Sequence, residues 1–300
     1  MTMTTTRRMK ASDFDREVLD LFDGYIHGNI SRRDFLAGAS KYAVGGVTAA
    51  ALLDMLAPNY ALAQQVDPKD PKLKSEYVTY NSPNGTGSIK AYLSRPASAT
   101  GKLPGIVVVH ENRGLTPYIE DVARRLAVAG FMALAPDGLS PLGGYPGNDE
   151  KGAEMYRTLD QAKLQQDLFA AFDAVKTRPD CTGKVGVVGF CFGGSVANAM
   201  AARFPELAAA VPYYGGPVSA EDVPRIKAPL LIHHAGNDQR LIASLPAFEA
   251  ALKANGKEYT AHIYPNTEHG FHNDTTPRYD EAAAKLSWSR TLDFFKAKLA

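Results

Sequence analysis

Cysteine is scarce in this chain, with only Cys181 and Cys191 among 300 residues. The two flank a β-branched run from Lys184 to Val188. At ~3.3 Å per strand residue their Cα atoms should lie well beyond the ~7 Å that a disulfide tolerates. Both are therefore expected to be free thiols. Net charge is almost absent too, since 33 Lys and Arg stand against 32 Asp and Glu for a formal +1. The first 63 residues carry seven basic and seven acidic side chains, so the remainder is also +1. That balance argues against a nucleic-acid or anionic-membrane surface. There is no repeat at a solenoid or propeller period and no low-complexity tract. The apolar stretch from Tyr42 to Leu56 is only weakly hydrophobic and is interrupted by Asp54, so no stable membrane span is expected. What remains is 45% hydrophobic and 22% charged, an ordinary composition with enough chain for one sizeable core and one catalytic domain.

The N-terminus is different in kind. Ser31-Arg32-Arg33-Asp34-Phe35-Leu36 matches a twin-arginine export box, followed by the Tyr42 to Leu56 run and by Ala61-Leu62-Ala63 as a small-x-small cleavage site. This order predicts export to the periplasm or beyond by the twin-arginine machinery, with a mature protein beginning near Gln64. The competing reading is a cytoplasmic chain whose N-terminal amphipathic helix packs on the domain. Phe14, Val18, Leu19, Leu21 and Phe22 are spaced like one helix face, which supports it. Residues 1–63 are thus set apart, and 64–103 form a linker and hairpin. The catalytic region is placed at 104–300.

In that second segment, Glu76 to Asn81 and Ser88 to Leu93 read as strands joined by the turn residues Pro83-Asn84-Gly85. Beyond it, strands and helices alternate. Ile106 to Val109, Phe131 to Ala135, Val185 to Val188, Ala210 to Tyr214, Leu230 to His233 and Tyr259 to Tyr264 are strand candidates. Between them fall helices at Tyr118 to Ala129, along Leu164, Leu168, Phe172 and Val175, after Gly193, and around Pro246 to Lys253. A last helix puts Trp288, Leu292, Phe295 and Leu299 on one face. Such alternation predicts an α/β fold with a mostly parallel sheet covered on both faces, whose ligands bind at the carboxyl ends of the strands.

Gly189-Phe190-Cys191-Phe192-Gly193, between a β-branched run and a small-residue helix, has the nucleophile-elbow pattern with cysteine in place of serine. Side chains at Gly189 or Gly193 would collide with the neighbouring backbone of so sharp a turn. The turn also sets Cys191 at a helix N-terminus, where the partial positive charge favours thiolate. A thiol nucleophile needs a base, and the base an orienting acid. In elbow-type sheets these follow in the order nucleophile, acid, base. Asp238, just beyond Leu230 to His233, supplies the acid, although alone it would read as a turn or helix-cap residue. His269, just beyond Tyr259 to Tyr264 and before Gly270, supplies the base, with His272 in reserve. Backbone N–H groups of Phe192 and Asn112 are the candidate oxyanion donors. Glu111, at the end of a buried strand, needs a partner, which is either the Cys191 thiol or Arg113.

Together, the cysteine elbow, Glu111-Asn112-Arg113-Gly114, Gly236-Asn237-Asp238 and Glu268-His269-Gly270-Phe271 resemble the dienelactone hydrolase (carboxymethylenebutenolidase-like) family over Pro104 to Ala300. The resemblance implies an α/β-hydrolase fold, a Cys-His-Asp triad, no cofactor and a small ester or lactone as substrate. It also implies that Glu111 holds the resting neutral thiol and takes its proton when substrate binds. Arg113, Tyr145 and Tyr214 are the candidate substrate-binding residues. No arginine follows His269 within Gly270 to Asp274, where family members read a substrate carboxylate; unless Arg113 substitutes, neutral esters or lactones are expected to be turned over at least as well as dienelactone. Thioester or peptide hydrolysis on the same triad, a non-catalytic binding protein, and a metal site among His233, His234, His269 and His272 are the alternatives.

Overall fold

A computed structural model describes residues 8–62 and 64–300. The expected cleavage site ends on Ala63, which lies outside the described residues.

Eight strands build one sheet: β1 (Leu73–Ser82), β2 (Gly87–Pro96), β3 (Leu103–Val109), β4 (Met132–Pro136), β5 (Cys181–Phe190), β6 (Ala209–Tyr213), β7 (Leu230–Ala235) and β8 (Tyr259–Tyr264). Their order is β1-β2-β4-β3-β5-β6-β7-β8, antiparallel where β2 meets β1 and β4 and parallel from β4 onward. Six helices serve this sheet: α4 (Pro117–Val128), α5 (Asp149–Thr158), α6 (Gln161–Lys176), α7 (Phe192–Arg203), α8 (Gln239–Ala254) and α9 (Glu281–Leu299). The expected α/β architecture is the one observed.

The two-residue period of the strands divides the core. On β3, Val107 and Val109 face a layer that includes Leu168, Phe172, Val196, Met200 and Leu252. Ile106 and Val108 face the opposite layer with Tyr118, Val122, Leu126 and Phe295. Burial on both faces explains why these strands read as continuous apolar runs rather than as alternating ones.

One expected helix changes in extent and one helix was not expected. α8 begins seven residues before Pro246, because Asp238 accepts a hydrogen bond from Leu241 N and caps the helix. α5, which had no counterpart in the sequence reading, starts on the Asn148 cap, whose side chain accepts from Lys151 N.

Upstream, α1 (Arg16–Ile26), α2 (Arg32–Ala39) and α3 (Ala49–Leu56) pack around their own small core. Val18, Leu19, Phe22 and Ile26 of α1 meet Phe35, Ala39, Leu53 and Leu56. The arginine pair opens α2 behind a capping box in which Ser31 and Asp34 bond reciprocally. Arg32 pairs with Glu150 at 3.1 Å. The three helices form a cap over the carboxyl ends of the sheet. Asn112 Nδ2 donates to Ile26 O at 2.7 Å, Arg16 pairs with Glu268 at 2.8 Å, and Tyr60 Oη donates to Asp149 at 2.8 Å. Among the described residues no helix is long and apolar enough to cross a membrane.

Candidate active site

β5 runs into α7 through Cys191, whose backbone sits at φ 58°, ψ −114°. L-residues seldom adopt this geometry, and the close approach of its neighbours maintains it. A Cβ on Gly189 would lie 1.9 Å from Gly193 O, and one on Gly193 would lie 2.2 Å from Val109 O. Both obstacles are backbone, so only glycine fits. The turn leaves Sγ at the start of α7, with the ring of Phe192 packed on Tyr156 and His110. The first-turn N–H groups of Phe192 and Gly193 have no intrahelical acceptor at a helix start and give that end of α7 a partial positive charge.

Asp238 acts at two atoms. Besides capping α8, its Oδ2 lies 2.6 Å from His269 Nδ1, and both side chains are 5% exposed. His269 Nε2 is buried and has no hydrogen-bond partner among the described residues. It lies within 4.8 Å of Cys191 Sγ. Burial alone would raise the thiol pKa, but the charge of His269 and the hydrogen bond and charge of His27 overcome it and hold Cys191 well below its ordinary value. Reciprocally, burial works against the His269 imidazolium, while Cys191 and Asp238 raise its pKa. The arrangement therefore favours a thiolate beside a protonated imidazole, oriented by a carboxylate. A pair of this kind can attack a carbonyl and shuttle one proton.

Of the other sequence candidates, Tyr214 packs on His269, whereas Tyr145 lies against Asp149 and is not brought to the Cys191–His269 pair. Glu111 is buried, and its carboxylate accepts from Asn273 Nδ2 at 3.1 Å. Burial raises its pKa, against the lowering influence of Arg113. Arg113 lies 3.5 Å from Asp149 and lines a cavity of about 300 Å³ with Tyr25, Tyr60 and Tyr145. Tyr145 Oη donates to the same Asp149 at 2.7 Å. Tyr214 is buried at φ 38°, with its ring centroid 4.9 Å from that of His269. His272 is taken up elsewhere: Tyr118 Oη lies 2.7 Å from its Nδ1, and burial holds its pKa well below the ordinary value. His233 is bonded to Tyr264 and Thr291. His234 is pushed down to about 4 by burial. The structure does not gather His233, His234, His269 and His272 as one metal-capable group; His269 is grouped instead with Cys191 and His27.

His27 escaped the sequence reading. It follows α1 directly, and its Nε2 lies 3.7 Å from Cys191 Sγ. The ring stands edge-on to His269 with centroids 4.6 Å apart. Its Nδ1 faces Asp23, 2.8 Å from the carbonyl oxygen and 3.3 Å from Oδ2. Burial opposes its charge, yet hydrogen bonds to Asp23 and Cys191 raise its pKa to about 10. The local sequence offers only the Asp23/His27 spacing of four, common on any helix surface. Nothing in it points to a nucleophile 164 positions away.

A mostly parallel sheet, a positive-φ nucleophile between strand and helix, and polar residues at the carboxyl ends of later strands define an α/β-hydrolase. Comparison with known proteins narrows the class. A family model described as "Dienelactone hydrolase family" matches residues 89–299, and a second, "YqhI-like", matches residues 5–44. The chain belongs to the dienelactone hydrolase family. Among its relatives, the "Putative hydrolase fragment YghX" of Escherichia coli is 63% identical over 114 residues, covering 38% of this chain and 97% of that one. The "Putative carboxymethylenebutenolidase" of Methylorubrum extorquens is 34% identical over 229 residues, covering 71% and 78%. The crystal structure of a "Putative Dienelactone Hydrolase" from Klebsiella pneumoniae superposes with a TM-score of 0.67 at 27% identity, covering 75% of this chain and 98% of that one.

Proposed function

We propose that the chain hydrolyses a small, neutral ester or lactone through an acyl-cysteine intermediate. The observation that carries this reading is the buried 2.6 Å Asp238–His269 contact, which leaves Nε2 unpartnered on the side of Cys191. In the first step Cys191 Sγ attacks the carbonyl carbon. The Phe192 and Asn112 N–H groups receive the developing oxyanion. His269 gives its Nε2 proton to the departing alkoxide, and Asp238 keeps Nδ1 protonated throughout. Water, deprotonated by His269, then releases the acid and returns Sγ.

Glu111 is proposed to hold the thiol in its neutral state before substrate arrives and, on binding, to take its proton and pass it to His269 Nε2, so that the thiolate–imidazolium pair is the attacking state. The names of two relatives, "Putative carboxymethylenebutenolidase" and "Putative Dienelactone Hydrolase", support an ester or lactone substrate. Arg113, paired with Asp149 at 3.5 Å, is not free to read a substrate carboxylate, which favours a neutral acyl group. On sequence order alone, we also retain twin-arginine export as a proposal for the segment that contains Arg32 and Arg33.

The test is a panel of aryl esters and small lactones on wild type and Cys191→Ala, with intact-mass detection of the acyl-enzyme after rapid acid quench. Turnover that persists in Cys191→Ala, or a strong preference for a carboxylated lactone that Arg113→Ala abolishes, would overturn the nucleophile or the substrate charge respectively.

A further inference from the structure

The N-terminal cap brings a third donor atom to the two that the proposed chemistry uses. His27 Nε2, Cys191 Sγ and His269 Nε2 all lie within 4.8 Å of one another, and the His27–Cys191 separation is 3.7 Å. We propose that these three side chains form a binding site for a borderline-soft divalent cation, zinc above all. The cap supplies one ligand and the catalytic pair supplies the other two.

The donor set is one thiolate and two imidazoles. Such a set selects zinc, or cobalt as its spectroscopic substitute, over magnesium and calcium, which take oxygen ligands. Tetrahedral bonds of ~2.3 Å to sulfur and ~2.0–2.1 Å to nitrogen place neighbouring donors ~3.3–3.6 Å apart. The separation of 3.7 Å already meets that spacing, and the 4.8 Å bound leaves about an ångström of closure for the rest.

The surroundings have the form that supports metal-bound histidines. Each ring turns its Nδ1 to an acid and its Nε2 inward: His269 to Asp238 at 2.6 Å, and His27 to Asp23 at 3.3 Å. The His269 Nε2, on a side chain 5% exposed, has no other partner among the described residues. Three ligands leave a fourth position for water or a buffer anion. On binding, every proton held on Sγ or on either Nε2 leaves to bulk solvent, and no oxidation state changes.

An ion there occupies both nucleophile and base, and it ties α1 to the catalytic region. Zinc would therefore suppress hydrolysis reversibly and hold the cap closed. Only this inhibitory consequence rests on the proposed function; binding itself does not.

The experiment uses the full chain, reduced and freed of metal by a chelator, in a Cys181→Ser background so that any thiolate signal comes from Cys191. Cobalt(II) alone is titrated with no substrate present. The expected result is a 1:1 complex with a thiolate-to-cobalt charge-transfer band and tetrahedral visible bands, displaced stoichiometrically by zinc. His27→Ala should weaken cobalt binding by about 100-fold or more. Asp23→Asn, which leaves all three ligands in place, should cost ~10–100-fold. His27→Gln repeats the measurement if the alanine variant does not fold. No 1:1 band in the parent, or equal affinity in a folded His27 variant, overturns the site. A cobalt band in a protein without esterase activity sinks only the hydrolytic reading, whereas zinc-insensitive turnover without the band sinks only the metal site.

Discussion

Asp238 offers a substitution whose effects on stability and on rate can be separated. Its Oδ1 accepts from Leu241 N at 3.3 Å to cap α8, while its Oδ2 meets His269 Nδ1 at 2.6 Å. Asn keeps the capping oxygen, since Asn and Asp are about equal at this position. Its amide N–H₂, however, faces Nδ1 as a donor. The imidazole must then accept at Nδ1 and carry its proton on Nε2, the tautomer that cannot take a proton from Cys191 or from water. Asp238→Asn should therefore melt within about 1 kcal/mol of wild type yet lose ~10²–10⁴-fold in kcat/KM. Asp238→Ala removes the cap, worth about 1 kcal/mol, and leaves the buried Nδ1 unpaired, at about 1–3 kcal/mol more. It should lose the same activity and also several degrees of melting temperature. The assay is steady-state hydrolysis of a neutral aryl ester beside calorimetric melting of both variants. Near wild-type turnover in Asp238→Asn would refute the reasoning, because it would leave Asp238 a capping residue and nothing more.

Glu111→Gln should fold and lose turnover by ~100-fold or more, with a changed pH profile of iodoacetamide alkylation at Cys191; unchanged turnover and profile would leave Glu111 as the buried partner of Asn273. The cap should loosen with rising pH. His27 is raised from 6.5 to about 10, so its contribution to holding α1 is complete below 6.5 and lost progressively up to about 10. Limited proteolysis and hydrogen exchange of residues 16–56 across that interval should show increasing opening, and protection that stays constant would contradict the assignment. Native-host protein that begins near Gln64, with Arg32→Lys/Arg33→Lys retained in the cytoplasm, would support export, and that cleavage would also remove His27; an intact N-terminus on the mature native protein would exclude a cleaved signal.

The sheet and its core were legible in the sequence because they follow from local rules. Strands buried on both faces need continuous β-branched runs, as at Ile106 to Val109, and backbone so close to Gly189 that a Cβ there would lie 1.9 Å from Gly193 O admits no side chain. The chain order of Cys191, Asp238 and His269 was legible for a similar reason, since each follows an apolar strand and parallel strands deliver their carboxyl ends to one edge. Extents were less so: α8 starts at its Asp238 cap rather than near Pro246, and α5 carries too weak an apolar pattern to announce itself.

Which histidine faces the thiol is a matter of tertiary packing. His269 and His272 share one short loop, and only the fold gives His272 to Tyr118 and turns His269 between Asp238 and Cys191. His27 depended entirely on the tertiary structure. A helix such as α1 shows in its sequence that it has an apolar face, but not what that face covers. The Ile26–Asn112 and Arg16–Glu268 contacts decide where it docks, and they join residues 86 and 252 positions apart. Contacts at that separation leave no periodic trace in a single sequence, because the chain between them can close the loop at little added entropic cost whatever its length.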